Sequence, residues 1–181
     1  FAHTRRKNLL LRDLDELVNQ QLAKMLFANP QRIDYYDRYQ EIIDAYNAEQ
    51  NRATIEKTFM DLMELASSLD TEQQRYVREG FSSDEELSVY DLLFSENLTK
   101  QEIETIKKVS VDLLTKIKQQ IAKLDHWTDK QETKAIVDNL IRKTLWQELP
   151  NSYDVSDIQT YQKKIYEYVY LSLIHISEPT R

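Results

Sequence analysis

The sequence predicts an all-α fold, a multi-helix bundle of about seven or eight helices with no sheet. Three observations predict it. The 181-residue chain has one glycine, Gly80, whereas parallel α/β folds and sheet barrels use glycine at turns, bulges and phosphate loops. Its three prolines, Pro30, Pro150 and Pro179, fall between periodic segments, so long stretches are free of a residue that breaks helices. Those stretches are rich in Leu, Glu, Lys, Gln, Ala and Ile, most of them good helix formers.

The first helix is expected over Lys7 to Phe27, where Leu11, Leu14, Val18, Leu22 and Met25 make one apolar face. Asn29-Pro30 ends it, because the residue before a proline avoids the helical region. A second helix, Arg32 to Ala48, places Tyr35, Tyr39, Ile42, Ile43 and Tyr46 on one side. A third, Asn51 to Leu69, presents Ile55, Phe59, Leu62, Met63, Ala66 and Leu69. Asp70 reads as the N-cap of a short helix, with Gln73 at the capping-box position. That helix is expected to stop at Gly80, a natural residue for a helix end. Ser82 with Glu85, or Ser83 with Glu86, repeats the capping pattern before Leu87, Tyr90, Leu93 and Phe94.

Thr99 with Glu102 opens the longest pattern, to Leu124. Ile103, Ile106, Leu113, Ile117, Ile121 and Leu124 form a near-heptad stripe, interrupted by Ser110. A stripe of one or two heptads favours packing within a bundle over a free coiled-coil seam. Thr128 is read as the cap of the next helix, which runs to Glu148 with Ala135, Val137, Leu140, Ile141, Leu145 and Leu149 facing one way. Pro150 closes it. Asn151 to Asp154 reads as a loop, and a last helix, Ser156 to Tyr170, carries Ile158, Tyr161, Ile165, Tyr168 and Val169.

Composition narrows the function classes. Hydrophobic residues make up 41% and charged residues 30%, enough apolar surface for a core. A net charge of −7 gives no bulk attraction for DNA or anionic lipid. The absence of cysteine excludes a disulfide framework, a thiol nucleophile and a zinc–thiolate site, and fits a reducing cytoplasm. No apolar run reaches the roughly 18 residues of a membrane span, and no signal peptide is visible. The chain starts on Phe1 rather than Met, which reads as a fragment. Its last segment, Leu171 to Arg181, spells LSLIHISEPTR. That string reads as the translation of a transposase-type sequencing adapter, so residues 171–181 are set aside as a non-native tail.

The search for chemistry returns little. His126 stands without a second ligand at helical spacing, and His3 and His175 lie at the chain ends. Glu132-Thr133-Lys134, preceded by Asp125 and Asp129, imitates a nuclease E-x-K motif. All of these residues fall around one helix start, where acids also favour the dipole, so a solvated face is the better reading. The acid clusters Asp13-Asp15-Glu16 and Asp84-Glu85-Glu86 point to different sides of their helices. One glycine cannot build a phosphate loop or a nucleophile elbow. No catalytic, cofactor-binding or metal-binding residue is therefore assigned. Asn97-Leu98-Thr99 reads as a chance glycosylation sequon.

Basic residues such as Lys107, Lys108, Lys116, Lys118, Lys163 and Lys164 are interleaved with acids. Lys107, Lys108 and Lys118 are the candidate DNA contacts, although positions 107, 111, 114 and 118 share a side and Lys108 falls off it. The eleven tyrosines are more informative, because a ring with a wet hydroxyl suits a half-buried edge or an interface. Tyr35, Tyr36 and Tyr39, with Tyr166, Tyr168 and Tyr170, form two clusters. These six, with Trp127 and Tyr153, are the candidate partner-interface residues.

Several segments in order carry a resemblance. They are Asn29-Pro30-Gln31-Arg32-Ile33-Asp34, Tyr39-Gln40-Glu41-Ile42-Ile43, Tyr46-Asn47, Tyr76-Val77-Arg78-Glu79-Gly80 and Asp91-Leu92-Leu93. Further on come Trp127, Lys130, Ala135, Val137, Ile141, Leu149-Pro150, Tyr153, Lys164 and Tyr166 to Tyr170. Together they resemble the C-terminal helical domain of the motor (restriction) subunit of type I restriction–modification enzymes, over Asn29 to Tyr170. Lys134 stands where the family often has arginine, and Tyr168 where it often has histidine.

The resemblance implies a parent with a nuclease domain and two helicase-type motor domains, which cleaves DNA after ATP-driven translocation. ATP and Mg²⁺ would then be needed only upstream, and this fragment would be no enzyme. Residues 1–28 would be a helix linking to the motor domains, and residues 29–170 the helical domain. The implied partners are the methyltransferase core, made of modification and specificity subunits, and the motor domains of the same chain. Docking onto that core is the leading expectation. A helical domain touching translocating DNA and an unrelated helical scaffold or coiled-coil partner are the alternatives.

Overall fold

The computed structural model describes residues 2–173, with side chains from residue 6 onward. His3, His175, Pro179 and most of the 171–181 tail therefore lie outside the described side chains. Among the described residues the fold is all helical, with no strand. The chain divides into two compact units, Phe1–Gly80 and Phe81–Arg181.

In the first unit α1 spans Ala2–Ala28, α2 Ile33–Ala48, α3 Arg52–Gln73 and α4 Arg75–Arg78. The long third helix is central and packs against both α1 and α2. Its Leu62, Leu65 and Leu69 meet Leu11, Val18, Leu22 and Met25 of α1 in the core, the face that their spacing of three and four predicts. The second helix contributes only half-buried groups, Tyr35, Tyr39, Ile42 and Tyr46, and has no fully buried residue.

Asn29 makes the corner between α1 and α2. Its amide donates to Met25 O at 2.9 Å, and its side chain accepts from Gln31 N at 3.1 Å. Pro30 takes the first position of the 3₁₀ turn Pro30–Arg32, where its missing N–H costs nothing.

The expected helix start at Asp70 is corrected. The third helix runs through Asp70 to Gln73, and only the single turn of α4 follows. The reason lies outside the local pattern: continuing the helix places Glu72 in the interior, where Arg32 meets it. Gly80 then adopts φ +87, and a Cβ built there would meet nothing within 4 Å. Its requirement is for the left-handed backbone, not for space.

In the second unit α5 spans Asp84–Leu93, α6 Lys100–Lys123, α7 Gln131–Glu148 and α8 Val155–Ser172. Each packs on the next, and α8 also returns to α5, so the four helices close around one core. Leu87, Leu93, Ile106, Leu113, Ile117, Ile121, Val137, Ile141, Leu145, Ile165 and Val169 are buried there. Ser110 sits in the same core without penalty, because its Oγ donates to Ile106 O at 2.7 Å.

The helix starts decide between the sequence options. Ser83, not Ser82, caps α5, accepting from Glu86 N at 3.2 Å. The Glu86 carboxylate reaches back to Ser82 N at 2.9 Å. Thr99 and Glu102 form both halves of a capping box, a device worth about 1 kcal/mol. Thr128 does not cap α7. Lys130 occupies that position without a side-chain bond, and Thr133 Oγ1 instead donates to Trp127 O and Lys130 O. The last helix starts at Val155, one residue before the expected Ser156, capped by a box between Asp154 and Asp157.

At the far end α8 continues through Ser172, and Leu173 is 1% exposed. Residues 165, 169 and 173 share a helix face, so a leucine at that position meets the core whatever the origin of the segment.

Candidate interaction surface

The Asn29-Pro30-Gln31-Arg32 segment serves the interior of the first unit. Arg32 is 3% exposed. Its Nε donates to Glu72 Oε1 at 3.1 Å, and its Nη1 to Met25 O at 3.3 Å. Arg75 Nε closes the pair from the other side, at 2.9 Å from Glu72 Oε2. One carboxylate thus bridges two guanidinium groups, and Tyr35 leans its hydroxyl toward the same oxygen at 3.5 Å.

The candidate tyrosines separate by burial. Tyr36 is exposed, and Tyr35, Tyr39, Tyr166 and Tyr170 are half-buried. Tyr153 and Tyr168 are buried, and Trp127 is 0% exposed. Those three rings serve the interior and offer little surface to a partner while the unit stays folded. Trp127 packs edge-on against Tyr166 and Tyr170, with ring centroids 6.3 and 5.9 Å away. The Tyr153 hydroxyl donates to Leu93 O and so ties the α7–α8 link to the end of α5.

Tyr39 donates to Asp15 Oδ1 at 2.6 Å. Burial first, then this bond to a carboxylate, raises its pKa above 10.0. Burial likewise raises the pKa of Tyr153, with Tyr161 and Asp157 adding to it. The phenols of the unfolded chain therefore ionise before these two do. Their contribution to stability is full below about pH 10 and is lost as pH rises toward the folded values. Urea midpoints are expected to fall between about pH 8 and about pH 11, and Tyr39→Phe to flatten that fall. An unchanged slope in the variant would contradict the assignment.

The candidate DNA lysines have separate surroundings. Lys118 Nζ lies 2.6 Å from Glu85 Oε2. Lys107 Nζ sits over the Tyr90 ring, 5.9 Å from its centroid. Lys108 is exposed. Lys116 bridges Asp112 at 2.9 Å and Glu148 at 3.3 Å, which lowers the Asp112 pKa, while burial raises that of Glu148. Of the E-x-K imitation, Lys134 lies over the Tyr170 ring at 5.9 Å. Among the described residues no three His, Asp or Glu side chains gather to hold a metal ion.

One surface feature was not singled out by the sequence. A hollow of about 500 Å³ lies between α7 and α8, lined by Lys134, Asp138, Lys163 and Tyr166 among others. A second, of about 680 Å³, is lined by Arg142, Lys143, Trp146 and Val155. Gln159 and Gln162 line both, so the two form one trough along the α7–α8 seam. Trp146 is 59% exposed. The available signal was phase: Trp146 stands next to Leu145, off the stripe of Val137, Ile141 and Leu145 that faces the core.

Two helical units with this surface can be set beside known proteins. The family described as type I restriction enzyme HindI endonuclease subunit-like, C-terminal, matches residues 1–172. The chain belongs to that family. No curated protein and no solved structure gave a significant match. The match covers the first helix as well as residues 29–170. The chain's membership in an endonuclease subunit agrees with the resemblance carried by the Asn29–Asp34 and Trp127–Tyr170 segments. None of its described helices is long and apolar enough to cross a membrane.

Proposed function

We propose that this domain is a non-catalytic assembly module. It docks the ATP-dependent translocase and endonuclease subunit of a type I restriction enzyme onto the methyltransferase core of modification and specificity subunits. In this reading ATP and Mg²⁺ serve motor and nuclease domains elsewhere in the subunit, and those domains are its other partner.

The observation that carries the reading is the exposed Trp146 beside Arg142 on the rim of a trough. Tryptophan and arginine are the residues at which binding energy concentrates in protein interfaces. An exposed tryptophan on a folded surface has apolar area left for a partner to cover. Family membership over residues 1–172 supports the kind of complex in which that partner would be found.

The test is co-elution of the purified 181-residue chain with the modification–specificity complex of the same system on a sizing column. The expected result is a shift of both into one larger species. A chain shown to be helical by circular dichroism that still elutes alone would overturn the reading.

A further inference from the structure

We propose that the α7–α8 trough seats an acidic segment of the partner protein, with one apolar or aromatic side chain of that segment packed against Trp146. The proposal rests on the assembly reading and assigns it a surface and a partner chemistry.

Charge is the first argument. The chain as a whole is acidic, with net charge −7. The trough runs against that trend: Lys134, Arg142, Lys143 and Lys163 line it, against the single carboxylate of Asp138. Gln162 Nε2 donates to Asp138 Oδ1 at 3.1 Å, which holds that acid against α8. A basic seam on an acidic surface selects an anionic partner and speeds its encounter.

The shape of the seam narrows the class of anion. Its Arg142 end is largely apolar, with Val155 53% exposed and Ile158 beneath it. Nucleic-acid phosphates gain nothing from such a floor, whereas an amphipathic protein segment buries a side chain in it. Packed helices leave a groove about one side-chain layer wide between axes roughly 8–10 Å apart, which suits one peptide segment better than a duplex. Gln159 and Gln162 in the middle of the trough can both donate to and accept from a peptide backbone.

The experiment titrates the modification–specificity complex with the 181-residue chain by calorimetry at low and high salt. The variants are Arg142→Glu/Lys143→Glu, Trp146→Ala, and Lys123→Glu as an exposed control on α6. All four sites are exposed, so circular dichroism should match the parent. The proposal expects each trough variant to weaken binding by about tenfold or more. It expects the control to bind like the parent, and parent binding to weaken with salt. Trough variants that bind like the parent would overturn the trough while leaving docking intact. A parent chain that does not bind the complex would overturn docking, and the trough proposal with it. Variants that keep the complex but lose a fluorescein-labelled DNA duplex bound by the parent would make nucleic acid the occupant and overturn the protein segment.

Discussion

Glu72→Ala is expected to unfold the first unit under conditions where the parent chain is stable. The substitution removes the carboxylate from between Arg32 and Arg75, so that Arg32, 3% exposed, loses the Glu72 charge from its buried site. Breaking one side of a buried pair costs about 3–5 kcal/mol, a large share of the roughly 5–15 kcal/mol that holds a domain together. Arg32→Met/Glu72→Leu should recover much of the loss, since both buried charges leave together. Met25 O, which would lose the Arg32 donor, still accepts from Asn29 N at 2.9 Å. Urea unfolding followed by circular dichroism reads both variants. A Glu72→Ala chain within about 1 kcal/mol of the parent would show that the pair is not sealed from water.

Trp127→Ala should be the most damaging single change in the second unit. Trp127 is among the largest of the fully buried side chains, and truncating such a ring costs about 3–5 kcal/mol through lost transfer energy and the cavity left behind. Tyr166 and Tyr170 would lose the ring they pack against. Trp127→Phe should be clearly milder. The indole Nε1 makes no hydrogen bond among the described residues, so phenylalanine gives up volume but no buried bond. Thermal melts of the two variants decide the matter: equal destabilisation would mean that the indole nitrogen, not ring volume, matters at this site.

Much of the fold was legible because its determinants are local. The apolar stripes of α1 and α6 went where their period placed them, with Val18 and Leu22 at 1% exposure and Ile117 and Ile121 at 0%. Thr99 and Glu102 are three residues apart and cap one another. The errors came where the decisive partner is distant. Asp70 with Gln73 imitates a capping box, but the helix runs on through Gln73, and the buried partner of Glu72, Arg32, lies forty residues earlier. Thr128 reads as a cap by residue type, but the helix begins only at Gln131, with Lys130 in the cap position.

The candidate surface was less legible than the fold. Residue type pointed to aromatics in general, but a tyrosine at a core edge and one at a partner interface have the same chemistry. Tyr153 and Tyr168 are buried and Tyr36 is exposed. Helical phase could have flagged Trp146, yet the trough also needs α8 laid beside α7, which the period of neither helix specifies.

The absence of any fully buried residue in α2 sets an order of opening within the first unit. The α1–α3 pair keeps its leucine core when α2 detaches, so that helix can leave before the pair parts. Its amide hydrogens are then expected to exchange with solvent well ahead of those around Leu22 and Leu65. The hydroxyl bonds from Tyr39 to Asp15 and from Tyr35 to Glu72 would act as its latches, so a protease arriving during such an opening would find the Asn47–Asn51 stretch first.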